Sequence, residues 1–183
     1  MSSGKYVALL RGINVGGKNK VAMADLRQTF EDAGYENVRT YINSGNVLFE
    51  TDADPQGLED SIEQALESRF GMDLVVVVRS HRQLKNVVDK APDGFGREPD
   101  LYHSDVVFLK RPLTPRKAMG VVELREGVDQ GWEGSGVIYF ARLSARRTQS
   151  KMSKMIGTPE YKLMTIRSWS TTTKLLALME ATD

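Results

Sequence analysis

Val38-Arg39-Thr40-Tyr41-Ile42-Asn43-Ser44-Gly45-Asn46-Val47-Leu48-Phe49-Glu50 holds two short β-type runs, 38–43 and 46–50, hinged on Ser44-Gly45. Glycine tolerates the positive φ of a tight turn, so the stretch predicts an antiparallel hairpin. Its flanks decide the fold. Upstream, the apolar run 5–11 reads as a strand, and Met23, Leu26, Phe30 and Ala33 recur at helical spacing until Gly34 stops them. Downstream, Asp54 and Pro55 read as an N-cap and first helical residue. Leu58, Ile62, Ala65, Leu66 and Phe70 form one stripe ending at Gly71, and 73–79 is a buried strand. The order is β-α-β-β-α-β, the split pattern of a ferredoxin-like sandwich with both helices on one sheet face. A further helix over 80–91 opens on Ser80 with Gln83 three positions on, a capping box.

Residues 92–100 lack periodicity and are dense in helix breakers. The pattern then restarts: strand 105–110, a helix opened by Thr114-Pro115 through about 124, strands 127–132 and 137–143, a basic helix over 145–156, a short strand 165–167 and a closing helix. The expected class is therefore α+β, with two ferredoxin-like sandwiches. The first spans 1–92 with its extra helix, 93–103 is a linker, and 104–183 is a degenerate second copy.

With 183 residues, 40% of them apolar, the chain can bury one large core or two small ones. Cysteine is absent, which excludes disulfides and thiolate chemistry and suits a reducing, cytoplasmic setting. The apolar runs are too short for a membrane segment or a signal sequence. The formal net charge of +1 hides a polarity: six acids stand against one base in 51–70, and eight bases against one acid in 140–175. A basic segment of that density can attract phosphates, and it reads equally as a solvated helix face offset by acids elsewhere.

The candidate site begins at Arg11-Gly12-Ile13-Asn14-Val15-Gly16-Gly17-Lys18-Asn19-Lys20. Glycines let consecutive N–H groups turn toward one anion, and Arg11, Lys18 and Lys20 add charge around it. Gly12, Gly17 and Lys18 satisfy G-x-x-x-x-G-K, but Asn19 stands where a P-loop needs Ser or Thr for magnesium, so that motif is rejected. Asn43, Ser44 and Asn46 at the hairpin tip either satisfy the turn's own backbone, the favoured reading, or offer hydrogen-bonding groups to a ligand. Lys151, Arg167 and Ser170 are the C-terminal candidates, with Ser170 read as the N-cap of the last helix beside an arginine. The third strand lacks the exposed aromatic pair by which an RNA-recognition motif stacks bases. His81 and His103 are the only histidines, no metal-ligand arrangement stands out, and His103-Ser104-Asp105 has the residue types of a triad without its geometry. No cofactor and no catalytic constellation is legible.

Ala8-Leu9-Leu10-Arg11-Gly12-Ile13-Asn14-Val15-Gly16-Gly17-Lys18-Asn19, Tyr41-Ile42-Asn43-Ser44-Gly45-Asn46-Val47, Ser150-Lys151 and the 167–174 region resemble the bacterial family known as domain of unknown function 1697. Near the C-terminus this chain reads Thr165-Ile166-Arg167-Ser168-Trp169-Ser170-Thr171, with serine in place of two family asparagines. The resemblance implies two ferredoxin-like subdomains and no assigned activity. The leading expectation is binding of an anionic or phosphorylated small molecule in a cleft between subdomains lined by Arg11, Asn14, Lys18, Lys151 and Arg167. An electrostatic nucleic-acid contact by the basic segment ranks second, and an enzyme of undefined reaction third. No membrane partner is expected.

Overall fold

The computed structural model describes residues 2–181. They form two compact units: one holds the residues up to Leu84 and those from Leu175 on, the other is Lys85–Lys174.

The first unit comprises β1 (Gly4–Leu10), α1 (Met23–Asp32), β2 (Glu36–Tyr41), β3 (Asn46–Thr51), a 3-10 turn (Pro55–Gly57), α2 (Leu58–Phe70) and β4 (Val76–Ser80). Its sheet runs β2-β3-β1-β4, every neighbouring pair antiparallel. This is the ferredoxin-like order. Ala8, Leu10, Val47, Phe49 and Val76 meet Leu26 and Phe30 of α1 and Leu58, Ile62 and Leu66 of α2 in one core. Val7 and Leu9, on the opposite face of β1, are buried as well, which is why that strand reads as a continuous apolar run. β4 starts later than its valine run suggests, because pairing with β1 begins only at Leu10↔Val76. Its outer edge is closed by α2: the Glu63 and Glu59 carboxylates accept from the N–H groups of Val76 and Val78, each at 2.9 Å. Four residues of helix advance about 6 Å and two of strand about 6.8 Å, so i,i+4 acids match alternate strand amides and protect the edge.

Helix α3 (His81–Asp89) carries the expected capping box, Ser80 N–H to Gln83 Oε1 at 2.8 Å and Gln83 N–H to Ser80 Oγ at 3.2 Å.

The second unit contains β5 (Tyr102–Leu109), α4 (Pro115–Met119), β6 (Asp129–Glu133), β7 (Val137–Leu143) and β8 (Met164–Ser168). The order β6-β7-β5-β8, again antiparallel throughout, repeats the first sheet. Val107, Leu109, Ile138, Phe140 and Met164 pack on Leu113, Ala118, Met152 and Met155.

Three expectations change here. α4 ends at Met119 on Gly120 and does not reach 124, since glycine and then Val121-Val122 disfavour continuation. The basic stretch forms no α-helix; it makes three 3-10 turns, Ser144–Gln149, Met152–Gly157 and Pro159–Leu163. Its amides are diverted: Met152 N–H goes to Ser150 Oγ at 3.2 Å and Lys151 N–H to Asp129 Oδ2 at 2.9 Å, and Gly157 and Pro159 break what remains. Finally, α5 (Trp169–Glu180) is capped by Ser168, whose Oγ accepts from Thr171 N–H at 3.2 Å, so Ser170 lies inside the first turn.

The unit boundaries fall at 84/85 and 174/175, outside the breaker-rich 93–103 segment. That segment is anchored: Phe95 meets Trp132, Tyr139 and Trp169 edge-on at centroid distances of 5.9, 5.3 and 5.1 Å. The buried Tyr139 hydroxyl donates to the Val87 carbonyl, and burial pushes its pKa up to about 12. The C-terminal end of α5 belongs to the first unit. Lys5 Nζ and Arg39 Nη2 donate to its last-turn carbonyls, those of Met179 and Leu178, at 3.1 and 2.9 Å, and His81 pairs with Glu180 at 3.0 Å.

Candidate functional site

The glycine stretch is a small β-finger at the C-terminal end of β1. Asn14 N–H donates to Asn19 O at 3.1 Å and Lys18 N–H to Val15 O at 3.0 Å, with Val15 and Lys18 bridged. Gly16 (φ 59°) and Gly17 (φ 75°) form its tip; two successive positive φ values are those of a type I′ turn, which glycine adopts without strain. Among the described residues, nothing accepts from the Gly16 and Gly17 amides.

Asn14, itself left-handed at φ 54°, is the clasp of this finger. Its Oδ1 accepts from Val21 N–H and its Nδ2 donates to the carbonyls of Val21 and Asn43, all at 2.9 Å. Asn19 Nδ2 reaches back to Gly12 O at 3.1 Å. The two asparagine side chains thus serve the backbone.

The bond to Asn43 joins the finger to the β2–β3 turn. Because β1 and β3 are antiparallel, the end of β1 faces the start of β3, and Leu10 N–H donates to Gly45 O at 2.9 Å. A Cβ on Gly45 would lie 2.8 Å from Ile13 Cδ1 and from Leu10 Cβ, so only glycine permits the approach. Asn46 is buried and donates to Tyr41 O and Ser44 Oγ, both at 3.0 Å, closing the turn. Ile42 is exposed at φ 50°, a conformation that β-branched residues avoid. Strain of this kind gathers at functional sites.

Nine of the twelve sequence candidates therefore meet in the first unit: Arg11, Gly12, Asn14, Gly16, Gly17, Lys18, Asn43, Ser44 and Asn46. Arg11 is half-buried, with its N–H on Val75 O at 2.9 Å. Lys18 and Lys20 are exposed, with no carboxylate in ion-pair range among the described residues.

The other three candidates lie in the second unit. Lys151 Nζ sits 3.4 Å from Glu123. Arg167 is 8% exposed; burial lowers its pKa to about 10, and it stays charged at neutral pH while Nη1 donates to Ile166 O. Ser170 is exposed, its hydroxyl 3.2 Å from that of Ser168.

A polar group in the second unit escaped the sequence reading. His103 and Asp105 are two apart on β5 and share a face, with Nε2 to Oδ2 at 3.3 Å, whereas Ser104 points away. Arg142 and Asp129 lie in register beside His103 on β7 and β6, and Arg142 Nε and Asp129 Oδ1 are buried without partners. The i,i+2 spacing of His103 and Asp105 was the available signal. Burial raises the Asp105 carboxyl above its ordinary value, against the lowering pull of His103 and Arg142. A raised acid destabilises the folded state once ionised: the unfolded carboxyl loses its proton first as pH rises. Asp105→Asn is therefore expected to be more stable than the parent at neutral pH, with the gain shrinking as pH falls through the folded carboxyl's range. Melting curves across acid pH test this; a gain independent of pH would remove ionisation as the cause.

Among the described residues, no group of three or more His, Asp or Glu could hold a metal ion, and no helix is long and apolar enough to cross a membrane.

The model of the family described as "Protein of unknown function (DUF1697)" matches residues 3–139. The chain belongs to this family. No curated protein matches it. Among solved structures, a conserved bacterial protein from Streptococcus pneumoniae is 27% identical and superposes with a TM-score of 0.86, over 98% of this chain and 100% of that one. It supports the two ferredoxin-like subdomains derived above. An unknown protein from Galdieria sulphuraria is 15% identical, with a TM-score of 0.28 over 91% of this chain and 97% of that one. The DUF1697 description carries no activity.

Proposed function

We propose that the end of β1 in the first unit binds a small anion, a phosphorylated or carboxylated metabolite. One observation supports the reading: the Asn14–Asn43 bond latches the 12–20 finger to the 42–46 turn, and the same finger carries the exposed Lys18 and Lys20 and the Gly16 and Gly17 amides, from which no described group accepts. Exposed cations beside oriented amides attract an anion, and a finger rigidified by two asparagine clasps loses little entropy on binding. The proposal rests on the first unit alone.

A thermal-shift panel of nucleotides, sugar phosphates and carboxylates tests it, with Lys18→Ala beside the parent. Ligand at 100 times its dissociation constant adds about 2.7 kcal/mol, or roughly 5 to 11 °C for a chain of this size. The expected result is a shift by one anion class that Lys18→Ala abolishes. Silence across the panel, with both proteins melting normally, would leave the finger a purely structural turn.

A further inference from the structure

The two units carry opposite charge. Residues 85–174 hold sixteen Lys and Arg against ten Asp and Glu, and the remainder of the chain holds nine against fourteen. The excess of the second unit is concentrated on one layer. Leu113 and Ala118 around α4, with Met152 and Met155 of the 3-10 turns, pack into the same core, so α4 and those turns cover the same sheet face. Arg125 Nε ties the two parts together by donating to Gln149 O at 2.6 Å. On the outside of this layer Arg116, Lys117, Arg146, Arg147, Lys154 and Lys162 are all exposed. Its acids are few: Glu123 lies 3.4 Å from Lys151 and 4.0 Å from Lys154, Glu126 is exposed and Glu160 half-buried. Among the described residues, Arg146, Arg147 and Lys162 have no carboxylate within ion-pair distance.

We infer that this α4 and 3-10 layer is a binding surface for the phosphate backbone of double-helical nucleic acid. Buried Ala118 anchors α4, which carries Arg116 and Lys117, and buried Met152 and Met155 anchor the turn that carries Lys154, so these cations are held in place without a long helix. Among the described residues no aromatic ring is fully exposed, whereas single strands bind on exposed rings that stack their bases. Bilayer insertion needs a continuous apolar face, and here Met152, Met155 and Leu113 point inward, leaving Ile156 and Leu124 as isolated exposed side chains. Phosphate contact by backbone charge positions a protein on a duplex without reading its bases. The inference is independent of the anion site of the first unit.

Fluorescence anisotropy with the full chain and a labelled mixed-sequence duplex of about 20 base pairs tests it. With about four phosphates neutralised, affinity falls roughly 150-fold between about 50 and 200 mM salt. Arg146→Glu with Arg147→Glu is expected to abolish binding. Arg27→Glu with Arg82→Glu, which changes net charge equally on the first unit, is expected to weaken it only slightly; circular dichroism checks that both double variants fold. The inference is overturned by no duplex binding at the lower salt, by equal loss in both double variants, by tighter binding of the matching single strand, or by retention on phosphatidylserine vesicles in preference to the duplex.

Discussion

Phe95→Ala lowers the stability of the chain by about 4 kcal/mol and, at this chain length, its melting temperature by roughly 8 to 16 °C. Phe95 is 7% exposed and meets three rings edge-on, so truncation removes transfer energy and three quadrupole contacts, and leaves a cavity whose walls are themselves large rings. Trp132 and Trp169 are the only tryptophans in the chain and both touch Phe95. Their fluorescence therefore reports the transition at its source. Phe95→Leu refills part of the space and is expected to recover about half the loss. A cost below about 1 kcal/mol for Phe95→Ala would mean that the rings close over the gap and that the 93–103 segment contributes little to this core.

Asn14→Ala undoes the finger. Three hydrogen bonds disappear, at about 1 kcal/mol each, and alanine must hold the left-handed φ of 54°, adding about 1 kcal/mol. The expected consequence is local: the Val21 amide, which donates to Asn14 Oδ1, exchanges with deuterium at least tenfold faster, while the rest of the first sheet keeps its protection. Asn14→Gly separates the causes, since it tolerates the backbone angle and lacks only the bonds. If Asn14→Gly exchanges at the parent rate, the carboxamide is not the clasp. Because the clasp ties the finger that carries Lys18 to the β2–β3 turn, both variants are expected to lose the thermal shift predicted for the proposed anion site.

The same residue marks the limit of sequence reading. Asn14 is legible as a polar member of a glycine-rich motif, where a ligand contact is the expectation; its three hydrogen bonds, two with Val21 and one with Asn43, show that its side chain is already committed to the chain. Gly16 and Gly17 belong to a hairpin turn, so their positive φ values serve the chain reversal, and in the proposed function the attraction falls to the exposed Lys18 and Lys20. The basic stretch after β7 has helical composition, yet Ser150 and Asp129 capture the amides that a helix would use. His103 and Asp105 were dismissed as a triad, but their pairing across i,i+2 is ordinary strand geometry.

The order of elements was determined by the sequence alone, because its causes are local: a period of 3.6 in α1 and α2, a Gly-bearing turn between β2 and β3, a Ser80–Gln83 box opening α3. In the first unit that order allows few sheet topologies, and the ferredoxin-like one follows; the second unit reaches the same sheet order with 3-10 turns where a second helix is expected. Tertiary structure decided what each polar residue is for. Lys5 and Arg39 reach carbonyls 174 and 139 positions away, and Glu63 and Glu59 seal a strand edge, contacts that local spacing does not encode. A hydrogen bond is made where donor and acceptor meet in space, so the division between structural polar groups and those left facing solvent appears only once the chain is folded.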